Sequence, residues 1–331
     1  MEYPIDIVIP WVNGSDEEWL KEKRKYTPLK SSDNNIARYR EWETFRYVFR
    51  GIEKNMPWVR KIHFLTWGHT PKWLNVNHPK LNIVNHKKFI PNEYLPMYSA
   101  NVIEVNLHRI PGLSEHFIYF NDDVYPIKSL EREDFFINGL PCDTAVLGAV
   151  KNDSQENFMP YIMLNCLGVI NDYFNQRDVI KGKLSNWFNA KYGKYNLNNL
   201  YLLPWSNFLG FRNFHTAHSF LKSTFEELWK EIPDALENTC KNRFRDKMDF
   251  NQYIFRYWQL AKNQFVPKKP DSSYVNVGKV SRNDLEDIIL GKKYKIACIN
   301  DDPGDFDLDK KNKELEELLI KLFPKKSKFE I

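Results

Sequence analysis

Four short, nearly unbroken apolar runs, at residues 5–10, 62–66, 81–84 and 116–120, are separated by stretches of helical periodicity. A strand apolar on both sides must be covered on both. Strands that alternate with helices are joined by crossovers, so the pattern predicts an α/β fold with a mainly parallel central sheet flanked by helices. Asn13-Gly14-Ser15-Asp16 is turn chemistry at the end of the first run, followed by a helical stretch at 17–25. Trp42, Phe45, Phe49 and Ile52 share one helical face, ended by Pro57. Ser99 is expected to cap a helix bearing Val102, Ile103, Leu107 and Ile110, and Ser223 with Glu226 forms a capping box opening a helix through Trp229. Further strands are expected at 144–150 and 296–299, and a helix at 250–261. Leu315, Leu318, Leu319 and Leu322 make a last helical stripe, stopped by Pro324. The expected organisation is an α/β core at 1–150, an irregular or largely helical insertion covering the sheet at 151–205, the remainder of the core at 206–305, and an amphipathic helix with a basic tail at 306–331.

A chain of 331 residues, 42% hydrophobic and 27% charged, can bury a large core. That excludes a disordered tail, a peptide hormone or a minimal binding module. The net charge of +5 is mild and its Lys and Arg are spread along the chain, so no nucleic-acid partner is expected. Lys321, Lys325, Lys326 and Lys328 gather near the end, as a solvated terminus or a contact with an anionic membrane surface. The four cysteines are scattered without a CxxC pair, which indicates neither a zinc knuckle nor a disulfide framework and favours a reducing interior. The opening MEYPIDIVIPWVNG reads as a strand rather than a signal peptide, and no run reaches 18 apolar residues. The expected location is cytoplasmic, at most peripheral at the inner face of the membrane.

Two apolar runs end alike, as FIYFNDD and IACINDD. In open α/β sheets ligands bind beyond the carboxyl ends of strands, where carboxylates can hold a divalent cation and the cation can neutralise a diphosphate. Polar strand ends at 13–16, 121–123 and 300–302 could therefore converge on one pocket; helix caps and Asx turns are the structural alternative for each. His215 and His218, three apart, share a face only if their segment is helical. Arg243-Phe244-Arg245 offers forked phosphate contacts or a charged helix surface. No Walker run and no GxGxxG is present, which leaves a P-loop ATPase or a Rossmann dehydrogenase unsupported.

In order along the chain stand IDIVIPWVNGSD from Ile5 to Asp16, Arg38-Tyr39-Arg40, Tyr119-Phe120-Asn121-Asp122-Asp123, His215-Thr216-Ala217-His218, Arg243-Phe244-Arg245 and Cys298-Ile299-Asn300-Asp301. These blocks resemble the four signature regions of the Stealth family, which includes bacterial capsular and exopolysaccharide phosphotransferases and the catalytic part of the lysosomal-enzyme N-acetylglucosamine-1-phosphotransferase. The chain departs from some members at Ala217, where they carry Pro, and at Asp302. The resemblance implies a fold like that of nucleotide-diphospho-sugar transferases. It also implies a reaction: a hexose-1-phosphate or N-acetylhexosamine-1-phosphate moves from a UDP-sugar donor to a hydroxyl of a glycan or lipid-linked oligosaccharide acceptor. The products are a phosphodiester and UMP, in capsular or cell-surface polysaccharide synthesis.

Carried over residue by residue, the resemblance implies His215, Asp122, Asp123, Arg245 and Asp301 as catalytic residues. His215 is the preferred general base or phosphate-adjacent donor, with an aspartate as the alternative base, and Arg245 serves the phosphates. Asp123, Asn300 and Asp301 would hold Mg2+ or Mn2+. Trp11, Asn13, Gly14 and Asp16 would contact the nucleotide-sugar, helped by Arg38 and Arg40.

Two other readings compete: a conventional metal-dependent glycosyltransferase, which releases UDP, and a carbohydrate-binding protein built on aromatic platforms. The chain has 23 Phe, 17 Tyr and 10 Trp, enough for both a core and a platform. Trp11, Trp187, Phe188, Trp205 and Phe208 are the rings set against uracil or an acceptor sugar, with plain packing as the alternative.

Overall fold

The first apolar run, Ile5–Pro10, forms a strand whose two faces are buried in different cores. Ile5, Ile7 and Ile9 pack with Val48, Phe49 and Ile52 of the helix Arg46–Asn55; Val8 enters a second cluster with Val102, Val105 and Phe117. This is the double coverage that a strand apolar throughout requires. The structure, a computed structural model, describes residues 3–26, 43–300 and 307–331. Trp42, Arg38, Arg40, Asp301 and Asp302 lie outside the described residues.

In chain order the strands are β1 (Ile5–Pro10), β2 (Ile62–Thr66), β3 (Leu81–Asn85), β4 (His116–Tyr119), β5 (Val124–Pro126), β6 (Phe136–Ile137), β7 (Leu140–Asp143), β8 (His218–Leu221), β9 (Val266–Pro267), β10 (Ser272–Asn276) and β11 (Ile296–Asn300). The central sheet runs β3-β2-β1-β4-β8, with the first four strands parallel and β8 antiparallel to β4. The mixed α/β class with a mostly parallel sheet is therefore as expected. A second sheet, β10-β11-β5, has β10 and β11 parallel and β5 antiparallel to β11. The helix Arg46–Asn55 lies close on β5: a Cβ at Gly51 would stand 2.6 Å from the Pro126 carbonyl oxygen, so only glycine fits.

One charge sits in the middle of β1. Asp6 is fully buried and accepts from Arg60 Nε at 2.8 Å, His63 Nε2 at 3.0 Å and the Ser114 amide at 2.8 Å. Burial alone would raise its pKa; the bonds from His63, Arg60 and Ser114 instead hold it well below the usual carboxylate range.

Several local expectations are corrected. Residues 144–150 are not a strand beyond a single bridge from Leu147 to Phe211. Their buried backbone is satisfied by side chains instead: Asn199 accepts from the Leu147 amide at 2.6 Å and donates to the Ala145 carbonyl at 2.8 Å, and the Tyr192 hydroxyl takes the Ala145 amide. Ser223 is not an N-cap, because its helix, Lys222–Glu231, begins one residue earlier and Glu115 accepts from the Ser223 amide and hydroxyl. Ser99 stands at the N-cap of Ala100–Val105 but makes no side-chain capping bond. The insertion is largely helical, led by Phe158–Tyr173. At the C-terminus Lys321, Lys325, Lys326 and Lys328 are exposed, while the backbone between them is docked. Phe329 is buried, and the Glu330 carboxylate receives Arg50 Nε and NH2 at 2.7 and 2.8 Å. Among the described residues no helix is long and apolar enough to cross a membrane.

Candidate active site

β4 ends at Tyr119, and Phe120 stays in register by donating to the Val8 carbonyl at 2.9 Å. The chain then turns through Asn121-Asp122-Asp123 into β5, which pairs with β11 so that Val124 faces Cys298. The Ile299 amide donates to the Asp123 carbonyl at 2.9 Å. Two of the three acidic strand ends are thereby brought together by backbone pairing: the Asn300 side-chain amide lies 3.4 Å from Asp123 Oδ2. The buried Cys298 thiol donates to the same oxygen at 3.2 Å. Burial, reinforced by the Asp123 charge, pushes that thiol well up, so it stays protonated and acts as a donor. Asp122 is exposed beside them.

His215 reaches the same carboxylate, with Nε2 3.4 Å from Asp123 Oδ2. Its segment is extended and bent rather than helical, so the two histidines part company. His218 opens β8 and is buried edge-on to Tyr253, with ring centroids 5.9 Å apart. Burial first, then the nearby Arg256 and His215, push it well below its usual range, so it is a neutral core residue. The segment is anchored from behind. Arg256 forks onto Asp143 at 2.9 Å (Nε) and 2.7 Å (NH2), and its third nitrogen donates to Asn213 Oδ1 at 2.7 Å. Thr216, next to His215, lines a cleft with Asp143, Arg256, Lys268, Asp271 and Lys295, and its hydroxyl is buried without a hydrogen-bond partner among the described residues.

Under this centre lies a carboxylate that sequence reasoning missed. Glu104 is buried, accepting from the Tyr119 hydroxyl at 3.0 Å and the Gln252 amide at 3.1 Å. Burial raises its pKa, opposed by those bonds and by the charges of Arg245 and His215. Arg245 thus lies near enough to Glu104 for its charge to be felt there. The available signal was a Glu inside the apolar run Ala100–Val105. Cys298 and Tyr274 were also missed; the pairing of their strands is what places them beside Asp123 and His215.

The first strand end is arranged differently. Asn13 Oδ1 accepts from the Ser15 amide and hydroxyl, an Asx turn, and Asp16 Oδ1 accepts from the Trp19 amide at 2.8 Å as N-cap of Glu17–Arg24. The Asn13 amide donates to His69 Nε2 at 2.8 Å, and His69 Nδ1 lies 3.8 Å from Asp16. Gly14 sits in the turn between them. The Trp11 ring is 5% exposed and packs against Phe45, Phe64 and His69, so it is a core residue. Trp187 and Phe208 are likewise buried and Phe188 half-buried; Trp205 is exposed.

A carboxylate oxygen of Asp123, a ring nitrogen of His215 and the Cys298 sulfur lie within 4.8 Å of one another. Asp123 Oδ1 is buried with no hydrogen-bond partner among the described residues, which fits a group that a divalent cation would satisfy.

Comparison with known proteins identifies the family. Stealth protein CR1, conserved region 1, matches residues 3–30, and Stealth protein CR2, conserved region 2, matches residues 38–142. The chain is 42% identical to the capsular polysaccharide phosphotransferase WcwK of Streptococcus pneumoniae, over 98% of each chain. It is 37% identical to the exopolysaccharide phosphotransferase cps2G of Lactiplantibacillus plantarum, over 99% of this chain and 96% of the relative. With the receptor polysaccharide phosphotransferase WefC of Streptococcus gordonii it shares 36% identity over 99% of each. Among solved structures, mouse xyloside xylosyltransferase 1 is similar at 10% identity and a TM-score of 0.38, covering 90% of this chain and 98% of that one, a likeness too weak to bear on mechanism. The chain is therefore a member of the Stealth family, the family of sugar-phosphate transferases.

Proposed function

We propose that this enzyme transfers a hexose-1-phosphate or N-acetylhexosamine-1-phosphate from a UDP-sugar to a hydroxyl of an acceptor glycan or lipid-linked oligosaccharide. It forms a phosphodiester and releases UMP in the synthesis of a capsular or other cell-surface polysaccharide. The observation that carries the reading is the contact of His215 Nε2 with Asp123 Oδ2 at 3.4 Å, at the junction of two strand ends. It supplies a base and an acidic centre side by side in a chain of phosphotransferase kin.

In this reading a ring nitrogen of His215 takes the proton of the acceptor hydroxyl, and the imidazolium is stabilised by Asp123. The acceptor oxygen forms a bond to the sugar-bearing phosphorus. The bond from that phosphorus to the bridging oxygen breaks, and UMP leaves with the electron pair. Arg245 balances charge on the phosphate oxygens, where a guanidinium fork matches their geometry. Asp123 and Asn300, with Asp301 next in sequence, would hold Mg2+ or Mn2+; such hard cations choose oxygen donors, which leaves His215 for the proton. The cation supplies charge neutralisation at the diphosphate. Asp122 adds to the acidic field. Asn13, Gly14 and Asp16 belong to the nucleotide side through their turn, with Arg38 and Arg40 as helpers, whereas Trp11 supports that turn from beneath. The location consistent with a UDP-sugar supply is the cytoplasm, with peripheral contact at the inner membrane face where a lipid-linked acceptor would be met.

Purified protein incubated with a panel of UDP-sugars and Mg2+ or Mn2+ should release UMP, detected by anion-exchange chromatography. Release of UDP alone would instead identify a conventional glycosyltransferase.

A further inference from the structure

Tyr274 is a large ring with no place in a core: it is 47% exposed on β10, the edge strand of the β10-β11-β5 sheet. Its centroid lies 5.2 Å from the His215 ring at an interplanar angle of 50°. The register explains the meeting. β10 and β11 run parallel with Tyr274 opposite Cys298 and Asn276 opposite Asn300, so Tyr274, Cys298 and Asn300 stand on one face of the sheet. Cys298 and Asn300 both reach Asp123 Oδ2. That face is therefore the floor of the centre, and Tyr274 is its outer tile.

We infer that Tyr274 is the platform on which the acceptor sugar lies, a positioning residue that sets a pyranose hydroxyl within reach of His215. The inference rests on the transfer reading above and adds the placement and class of the acceptor. A general base must stand about 2.6–3.2 Å from the hydroxyl it deprotonates, so whatever packs on the base packs beside the acceptor. The donor phosphates belong with Asp123, Asn300 and Arg245, towards β4; the β10 side of His215 is left for the acceptor. An exposed aromatic face recognises the apolar C–H face of a pyranose, and that selects sugars with several axial C–H bonds on one side, as in β-galactosides and β-glucosides.

The test compares Tyr274→Ala, Tyr274→Phe and Tyr274→Trp with the parent enzyme. UDP-glucose, UDP-galactose and UDP-N-acetylglucosamine serve as donors, and methyl β-D-galactopyranoside and methyl β-D-glucopyranoside as acceptors. Tyr274→Ala should raise the acceptor KM roughly two- to tenfold, the range of a single aromatic stacking contact. Phe and Trp should restore it, and the change should fall on the acceptor KM more than on kcat. Saturation-transfer NMR, which needs no turnover, should show the ring-face protons of the methyl glycoside saturated by the parent protein and not by Tyr274→Ala. Unchanged acceptor KM and saturation in Tyr274→Ala would overturn the inference, as would a Phe variant as weak as Ala, or no saturation of either glycoside by the parent. A loss confined to kcat with the acceptor KM unchanged would also overturn it, by making Tyr274 a support for His215 alone. If the parent releases no UMP from any donor, the transfer reading falls, and the NMR comparison still decides the platform.

Discussion

Removing one carboxylate behind the candidate site tests how the segment that carries His215 is held. The Arg256 side chain is 2% exposed, and among the described residues its ion pair is with Asp143; Asn213 Oδ1 at 2.7 Å and the Thr144 carbonyl at 3.2 Å also accept from it. Asp143→Ala leaves that guanidinium buried without a counter-charge, a change that costs about 3–5 kcal/mol. With a urea dependence of about 3 kcal/mol/M for a chain this large, the unfolding midpoint should fall by roughly 1–1.7 M. The double variant Asp143→Ala, Arg256→Met removes both charges and keeps an apolar stem in the space. It should recover most of the loss, because an apolar replacement of a buried pair is often close to neutral. Urea denaturation followed by circular dichroism reads all the variants. A loss below about 1 kcal/mol in Asp143→Ala, or a double variant as unstable as the single, would refute the reasoning, since neither fits an uncompensated buried charge.

Asp123→Asn keeps the shape but removes the charge that His215 and the proposed cation use; UMP release should drop by about a hundredfold or more with an unchanged melting temperature. Arg245→Lys should lower turnover by losing the fork while keeping the charge, and steady-state kinetics equal to the parent would remove Arg245 from the phosphates. His86 is held down to about 3 by burial, with His69 adding to the effect. The unfolded chain binds a proton there below about 6.5 and the folded protein does not, so stability is lost as pH falls from 6.5 towards 3. At pH 5 that is about 2 kcal/mol. Thermal unfolding of His86→Phe should lose less stability than the parent between pH 7 and pH 5, and equal losses would contradict the burial argument.

What the sequence revealed and what it hid have physical causes. The runs IDIVIP and FIYF announce themselves because a strand covered on both faces needs apolar residues at every position. The Asn-Asp-Asp turn and Asn300 could be placed at strand ends for the same reason. Their convergence required β5, and a three-residue strand such as Val124–Pro126 has no period to detect. Cys298 and Tyr274 were hidden by that step, since the β10-β11-β5 register puts Cys298 against Asp123 and Tyr274 opposite Cys298. His215 and His218 carry no periodic signal either; a bend divides them, one to the centre and one to the core. At Asn13 and Asp16 the helix-cap and Asx-turn alternative describes what the side chains do. Residues 144–150 misled because burial without a ladder looks like a buried strand until Asn199 and Tyr192 are known to satisfy the backbone.

Phosphorus NMR of the complete reaction, parent enzyme with UDP-sugar, acceptor glycan and Mg2+, tests the central claim most directly. The account predicts that the diphosphate resonances of the donor give way to one phosphodiester signal and one UMP monophosphate signal in equal amounts. UDP signals growing with no phosphodiester would contradict it.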